Sequence, residues 1–270
     1  GANLPNGVIT HFYLPEAPAK DSRVALHFIQ QGDTLVTLAT DAKDKKDKLD
    51  LKKGLNTYVW DTRGVDAKRL EGMILWSANL SGPKAVPGNY TVALEAGGYI
   101  RNADFKILPD PRAEATVADM QAQYDFISGI NATINKAHEA IETIRSVNAK
   151  LAEFQKTYKD DADQKSLVAS AKALAEQLST VEKALYQTQN RSGQDPLNFP
   201  IRLTNKLGHL NSMAGMDDFA PTAQDLMVRD ELTAKINEQM EAFSEAINKD
   251  LKAFNDAFSQ AALPYLKVGS

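Results

Sequence analysis

The segment NTYVWDTRG, residues 56–64, places an indole (Trp60), a carboxylate (Asp61) and a guanidinium (Arg63) close together, and VPGNYTVALEAGG answers it at residues 86–98. Such a set could stack a sugar ring or supply a carboxylate for hydrolysis, or it could serve only to hold a strand end and its turn. Carboxylates are plentiful elsewhere, and a glycosidase needs only two of them facing across a cleft. A pair in a groove between the two halves of the chain is therefore one reading. Asp61, Asp104 and Asp110, however, stand at expected strand ends beside turns, where Asp commonly bonds local backbone.

A second chemistry is carbohydrate stacking by Tyr58, Trp60, Trp76 and Tyr99. It requires several of these rings to face solvent on one sheet. Tyr58 and Trp60 share one face of their strand, and a paired aromatic on a central sandwich strand is more often core. The histidines His11, His27, His138 and His209 are scattered, without the H-x-x-x-H or H-E-x-x-H spacing that sets two metal ligands on one helical face. No G-x-S-x-G, no G-x-x-x-x-G-K-S/T and no G-x-G-x-x-G after a strand occurs, so nucleophile-elbow, P-loop and dinucleotide readings lack their backbone device. No catalytic residue, metal or cofactor is expected. The run DAKDKKDKLDLKKG at 41–54 interleaves six lysines with four aspartates and lacks a calcium-loop pattern, as a solvated hairpin would.

Composition narrows the partners. Residues 1–112 carry 15 Lys and Arg against 13 Asp and Glu, and the remainder carries 16 against 22. Neither half offers the basic surface that nucleic acid requires. No run of ~18 apolar residues is present to span a membrane. The absence of cysteine excludes disulfides and thiolate metal sites without choosing a compartment. The opening GANLPNG, with no methionine, basic stretch or apolar stretch, reads as the start of a processed or excised piece, and Gly1 as a remnant of the cut.

The elements that must position these residues fall into two kinds. From Gly7 to Ile107 apolar residues recur with period two between Gly, Pro, Asn and Asp clusters. This predicts strands over Val8–Leu14, Arg23–Gln30, Thr34–Thr40, Thr57–Asp61, Gly72–Ala78, Asn89–Glu95 and Ile100–Ile107, and an immunoglobulin-like sandwich over residues 1–112. Val24, Leu26 and Phe28 should face the core, with Arg23, Ala25 and His27 on the other side. Beyond LPDPRAEAT the period becomes helical: Thr116–Tyr158, Asp163–Gln189, Ile201–Met213 and Thr222–Ala262, with Thr116 and Thr222 as starts. Residues 113–270 should therefore form an elongated antiparallel up-down bundle of about four helices, and the chain as a whole an α+β protein of two domains.

With the order and spacing of these residues in view, the chain resembles the C-terminal region of bacterial sortilin-like, BNR-repeat proteins often labelled glycosyl hydrolases. The resemblance is carried by Gly54, Asn56, Trp60, Asp61 and Arg63 (G-x-N-x-x-x-W-D-x-R), by Pro87, Gly88, Tyr90 and Val92 (P-G-x-Y-x-V), and by Asp110, Pro111 and Arg112. PTAQDLMVRDELTAKINEQM is similar to the family's last helix, and the sandwich part resembles the immunoglobulin-like domain of flagellar hook-capping proteins. One departure is Gln30-Gln31-Gly32, where relatives tend to have Asp before the glycine. The resemblance implies that Trp60, Asp61, Arg63, Pro87, Gly88, Tyr90, Asp110, Pro111 and Arg112 specify the fold. It further implies an exported protein whose partner is an N-terminal propeller of the same chain. Any sugar cleavage would then reside in that propeller, leaving this part a spacer, docking or assembly module.

Overall fold

The computed structural model describes residues 4–261 and residue 263. Gly1 and the expected last-helix terminus Ala262 lie outside the described residues. The protein is α+β, and its contacts divide it into two units. The first comprises residues 1–66, 81–128 and 217–221, and the second residues 67–80, 129–216 and 222–270.

The sheet unit is built on β1 (Val8–Leu14), β2 (Val24–Gln30), β3 (Asp33–Ala39), β4 (Gly54–Trp60), β5 (Gly88–Ala96) and β6 (Tyr99–Ile107). Strands β1 and β4 form an antiparallel pair with Val8 opposite Trp60, and the other sheet runs β3-β2-β5-β6, antiparallel throughout. The chain changes sheet after β1, after β3 and after β4. This gives an immunoglobulin-like order with B and E strands facing C′, C, F and G. Tyr90 near the start of β5 adds a tyrosine corner, its Oη donating to the Val86 carbonyl at 2.5 Å. Burial pushes its phenol up to about 12, with a smaller contribution from Tyr124.

Period-two burial holds along β2, where Val24, Leu26 and Phe28 are all inside. Ala25, expected on the opposite face, is buried as well; it is a small residue set in register between Ala39 and Glu95. The core joins the sheets through Phe28, whose ring stacks on Trp60 at 4.5 Å, while Tyr90 stacks on Phe105 at 5.5 Å. The β5–β6 hairpin turns on Gly97 and Gly98, both at positive φ, which glycine adopts at little cost. The β2–β3 turn uses Gln31 at φ 51 and Gly32 at φ 94, so the departure noted in the sequence is a non-glycine residue held in the left-handed region.

The expected strand Gly72–Ala78 does not form. Between β4 and β5 the chain closes a short stem, Gly64 N–H to Pro83 O and Ala85 N–H to Thr62 O. There a Cβ on Gly82 would lie 2.1 Å from the Gly64 carbonyl oxygen, so only glycine fits. Residues 67–80 belong instead to the helical unit as a strap without a ladder, so a cut at residue 112 does not coincide with the units. The strap's backbone groups are met by side chains of the helical unit: Asn135 accepts from Lys68 N–H, Tyr186 Oη from Ile74 N–H, and Asn205 both accepts from Trp76 N–H and donates to Trp76 O.

In the helical unit α1 (Val117–Tyr158, of which residues 129–158 belong here), α2 (Lys165–Leu185), α3 (Leu203–Ala214), α4 (Ala223–Glu245) and α5 (Lys252–Gln260) form the bundle. The pairs Arg145–Glu182 and Asn148–Ser179 set α2 antiparallel to α1. Thr204 Oγ1 donates to the Leu185 carbonyl, so α3 continues where α2 stops and its Asn211 reaches Asn131 of α1. Phe154 meets Phe254 and Phe258 edge-on, which brings α5 alongside the far end of α1. The interior is Ile130, Ile134, Ile141 and Ile144 of α1 with Leu178 and Leu185 of α2.

Helix starts follow the sequence. Thr222 and Asp225 complete a reciprocal capping box, and Thr116 and Asp119 bond in the same way. The second helix ends at Leu185, short of the expected Gln189, because Tyr186 turns to an extended conformation. A π-helical turn, Ala246–Leu251, interrupts the last long helix between α4 and α5.

Candidate functional site

The family-like residues hold one another through backbone. Trp60 is buried and its Nε1 donates to the Arg63 carbonyl at 2.8 Å. Asp61 Oδ1 accepts from the Arg63 N–H at 2.9 Å, whereas the Arg63 guanidinium, a candidate partner for that carboxylate, donates to the Gly82 carbonyl at 3.1 Å. Pro87 leads into Gly88, the first residue of β5, and Tyr90 bonds back to Val86. Asp110 accepts from the Arg112 backbone N–H and takes a two-pronged bond from the Arg112 guanidinium across Pro111. Those bonds hold its carboxyl well below the usual carboxylate range.

Trp60, Asp61 and Arg63 also line a cleft of about 220 Å³ with Lys46 and Asp66. Its charges are largely committed, since Lys46 donates to Asp66 at 2.8 Å and Asp66 also receives the Gly82 N–H. Asp104, expected beside a turn, lies within β6 and accepts from the Thr91 hydroxyl.

The aromatic set is not assembled into a platform. Tyr58 packs on the sandwich core around Trp60, Tyr99 projects from the β5–β6 hairpin, and Trp76 belongs to the strap of the helical unit. The histidines are dispersed too. His11 bonds Thr57, His27 bonds Thr37 and Glu95, and His209 bonds the Ser77 carbonyl. Among the described residues no group of three or more His, Asp or Glu could hold a metal ion.

His138 is the exception in environment. It is fully buried, its Nδ1 bonds the Lys68 carbonyl at 2.5 Å, and its Nε2 has no partner. Burial pushes its pKa below 6.5, partly opposed by the Lys68 carbonyl. The unfolded chain therefore binds a proton before the folded protein does as pH falls. Stability is full above about 6.5 and is lost on acidification below it, by at most ~1.4 kcal/mol per pH unit. Urea denaturation should show stability falling as the pH is lowered from about 7 through the ordinary histidine range. The His138→Gln variant should lack that part of the slope; an unchanged slope would show that His138 does not set it.

His138 belongs to a polar seam on α1 that runs Asn131, Asn135, His138, Glu142, Arg145 and Asn148. The spacing of three and four was legible as a stripe beside the isoleucines, but polar residues at that period read as a solvated face. Here it bonds the strap, α2 and α3.

At the Arg145 end of the seam lies a cavity of about 390 Å³. Arg145 Nε donates to Glu182 at 2.7 Å, and its guanidinium sits 5.7 Å from the centre of the Tyr186 ring. Around this fixed pair stand Lys183 on α2, Arg191 on the α2–α3 connection and Glu71 on the strap, none in a salt bridge with a described residue. Asn190, buried in the wall, has an Oδ1 without a partner.

Compared with known protein families, curated proteins and solved structures, the chain matches none. What its geometry offers is therefore read from its own groups. The sheet unit's cleft has most of its polar groups spent on structure, and the helical cavity is lined by charged and neutral polar side chains, with the Arg191 guanidinium donating to the Thr188 and Asn190 carbonyls. Among the described residues no helix is long and apolar enough to cross a membrane.

Proposed function

We propose that this chain is a non-catalytic accessory module, the C-terminal spacer, docking or assembly part of an exported sortilin-like propeller protein. One observation supports the reading above others: Trp60, Asp61, Arg63, Tyr90 and Asp110, the residues that carry the resemblance, direct their polar atoms to nearby backbone. Side chains used this way fix turns and strand ends and leave no free nucleophile or acid–base pair at the motif. The partner on this reading is the propeller of the same protein, and its place is outside the cytoplasm.

Turnover on a panel of glycosides and peptides tests it, using this chain beside a longer protein that contains the propeller. The expected result is no turnover by the chain alone. Turnover by the chain that disappears in Glu71→Gln or Glu182→Gln would replace the proposal with a hydrolase acting through the helical cavity.

A further inference from the structure

An open sheet has two edge strands whose outward N–H and C=O groups can pair with another chain, and soluble proteins guard them with charges or covering loops. Three of the four edges in the sheet unit are guarded. Strand β6 carries Arg101, Asp104 and Lys106. Strand β3 opens on Asp33, and at its other end the Leu49 N–H bonds the Ala39 carbonyl. Strand β4 lies between Lys53 and Asp61, and its Asn56 holds the preceding chain by accepting from the Lys52 N–H and donating to the Lys52 carbonyl.

The edge of β1 has none of these guards. Val8–Leu14 contains no Asp, Glu, Lys or Arg, and most of its residues are β-branched or aromatic, as a strand prefers. It pairs with β4 alone, and among the described residues no loop bonds the backbone groups on its other side. Which strand fits there follows from register. Opposed residues in an antiparallel pair share a sheet face, so a two-fold axis normal to the sheet must pass between a residue and its own copy. Centred on His11, the middle residue, the axis pairs all of β1: Val8 with Leu14 of the second copy, Ile9 with its Tyr13, Thr10 with its Phe12 and His11 with His11. The inner and outer faces stay continuous, Ile9 and Tyr13 make the favourable pairing of a β-branched and an aromatic residue, and no carboxylate, ammonium or guanidinium groups are opposed. Centring on Thr10 or Phe12 leaves two residues of each copy unpaired. A second copy also brings its strand already extended, so no flexible segment has to be ordered.

We propose that two copies of this chain pair antiparallel, β1 to β1 about His11, making one four-stranded sheet in the order β4-β1-β1-β4. The pairing does not depend on the accessory-module reading, because it needs only the edge. Each copy uses its one unguarded edge, so the assembly closes at two. A single ladder is smaller than a standard interface, so the Kd should fall at roughly 10–100 μM.

Sedimentation equilibrium of the whole chain from roughly 5 to 500 μM should show the mass rising from one chain towards two and no further. His11→Lys sets two ammonium groups face to face and should weaken association at least roughly tenfold. His11 is exposed and its ring bonds only Thr57, so the variant should keep the wild-type circular dichroism. The chain has no cysteine, so a single introduced one reports the register. His11→Cys puts two thiols on opposed residues whose Cα atoms lie ~4.5–5.5 Å apart, within disulfide reach, and should give a covalent dimer on mild oxidation. Leu55→Cys, also exposed but on β4 opposite Tyr13, should cross-link at least roughly tenfold more slowly. A chain that stays monomeric over the whole range overturns the proposal. So does growth beyond two chains, a dimer that His11→Lys leaves intact, or faster cross-linking through Leu55, which would assign association to the outer face of the sheet.

Discussion

Trp60→Ala should lower the stability of the sheet unit by about 3–5 kcal/mol, the cost typical of emptying a buried aromatic site. The indole is only 2% exposed, lies 4.5 Å from the Phe28 ring in the facing sheet and is met edge-on by Tyr90 at 6.1 Å. Three strands, β2, β4 and β5, thus lose their shared contact at once. The same side chain ties the β4 end to its turn through the Arg63 carbonyl, which the alanine variant leaves unpaired. Trp60→Phe separates the two contributions: it keeps a ring against Phe28 but loses the N–H donor, and should cost about 1–3 kcal/mol. With a urea dependence of roughly 1–3 kcal/mol per molar, the alanine variant's midpoint should move by about 1 M or more. Far-UV circular dichroism is the suitable signal, because the chain has only two tryptophans and removing one changes the fluorescence baseline. A loss below about 1 kcal/mol would mean that the core closes over the gap and that Trp60 does not join the sheets.

The role of Trp60 was legible because it follows from parity and turn chemistry inside one short segment. The same holds for Val24, Leu26 and Phe28 in β2, for the Gly97-Gly98 hairpin, for the leucine stripe of α2 and for the cap at Thr222. Each depends on neighbours a few positions away, where period and propensity act. Arg63 shows where local reading stops. Two positions from Asp61, it stands where a local reading places an ion pair, but the guanidinium is drawn to a carbonyl nineteen positions on, at Gly82, by a stem that no local pattern announces. The candidate cavity was less legible still. Glu71, Arg145, Lys183 and Asn190 come from a strap, two helices and a connection, and each alone reads as an ordinary polar residue. The π-helical turn within the last long helix has no sequence signal among those considered, since its apolar positions keep the ordinary spacing.

The strap is the clearest failure of pattern, and its physics gives the second large effect: Asn205→Ala should destabilise the helical unit by about 2–4 kcal/mol, leaving two backbone groups unpaired. Residues GMILWSA contain the short continuous apolar run of a buried strand, but a strand needs a neighbour whose backbone groups are free. In the bundle every helical N–H and C=O away from the ends is already used, so the strap must be held by side chains. Asn205 is well shaped for that, because a carboxamide presents an N–H donor and a carbonyl acceptor side by side. Its Oδ1 takes the Trp76 N–H at 2.8 Å and its Nδ2 gives to the Trp76 carbonyl at 2.9 Å, so it stands in for one residue of a missing partner strand. Asn205 is itself buried, and Gly208, one turn later on α3, accepts from Asn79 N–H where a Cβ would crowd Ala78 at 3.2 Å. Asn205→Asp isolates the donor: it keeps the acceptor for Trp76 N–H but sets an oxygen against the Trp76 carbonyl, and should be as damaging as alanine or worse near neutral pH. Hydrogen exchange at the Trp76 and Ile74 amides should rise in both variants, while exchange in β2 and β5 stays as in the wild type. Unchanged exchange at Trp76 in Asn205→Ala would mean that the strap is held by its apolar contacts, with the carboxamide a bystander.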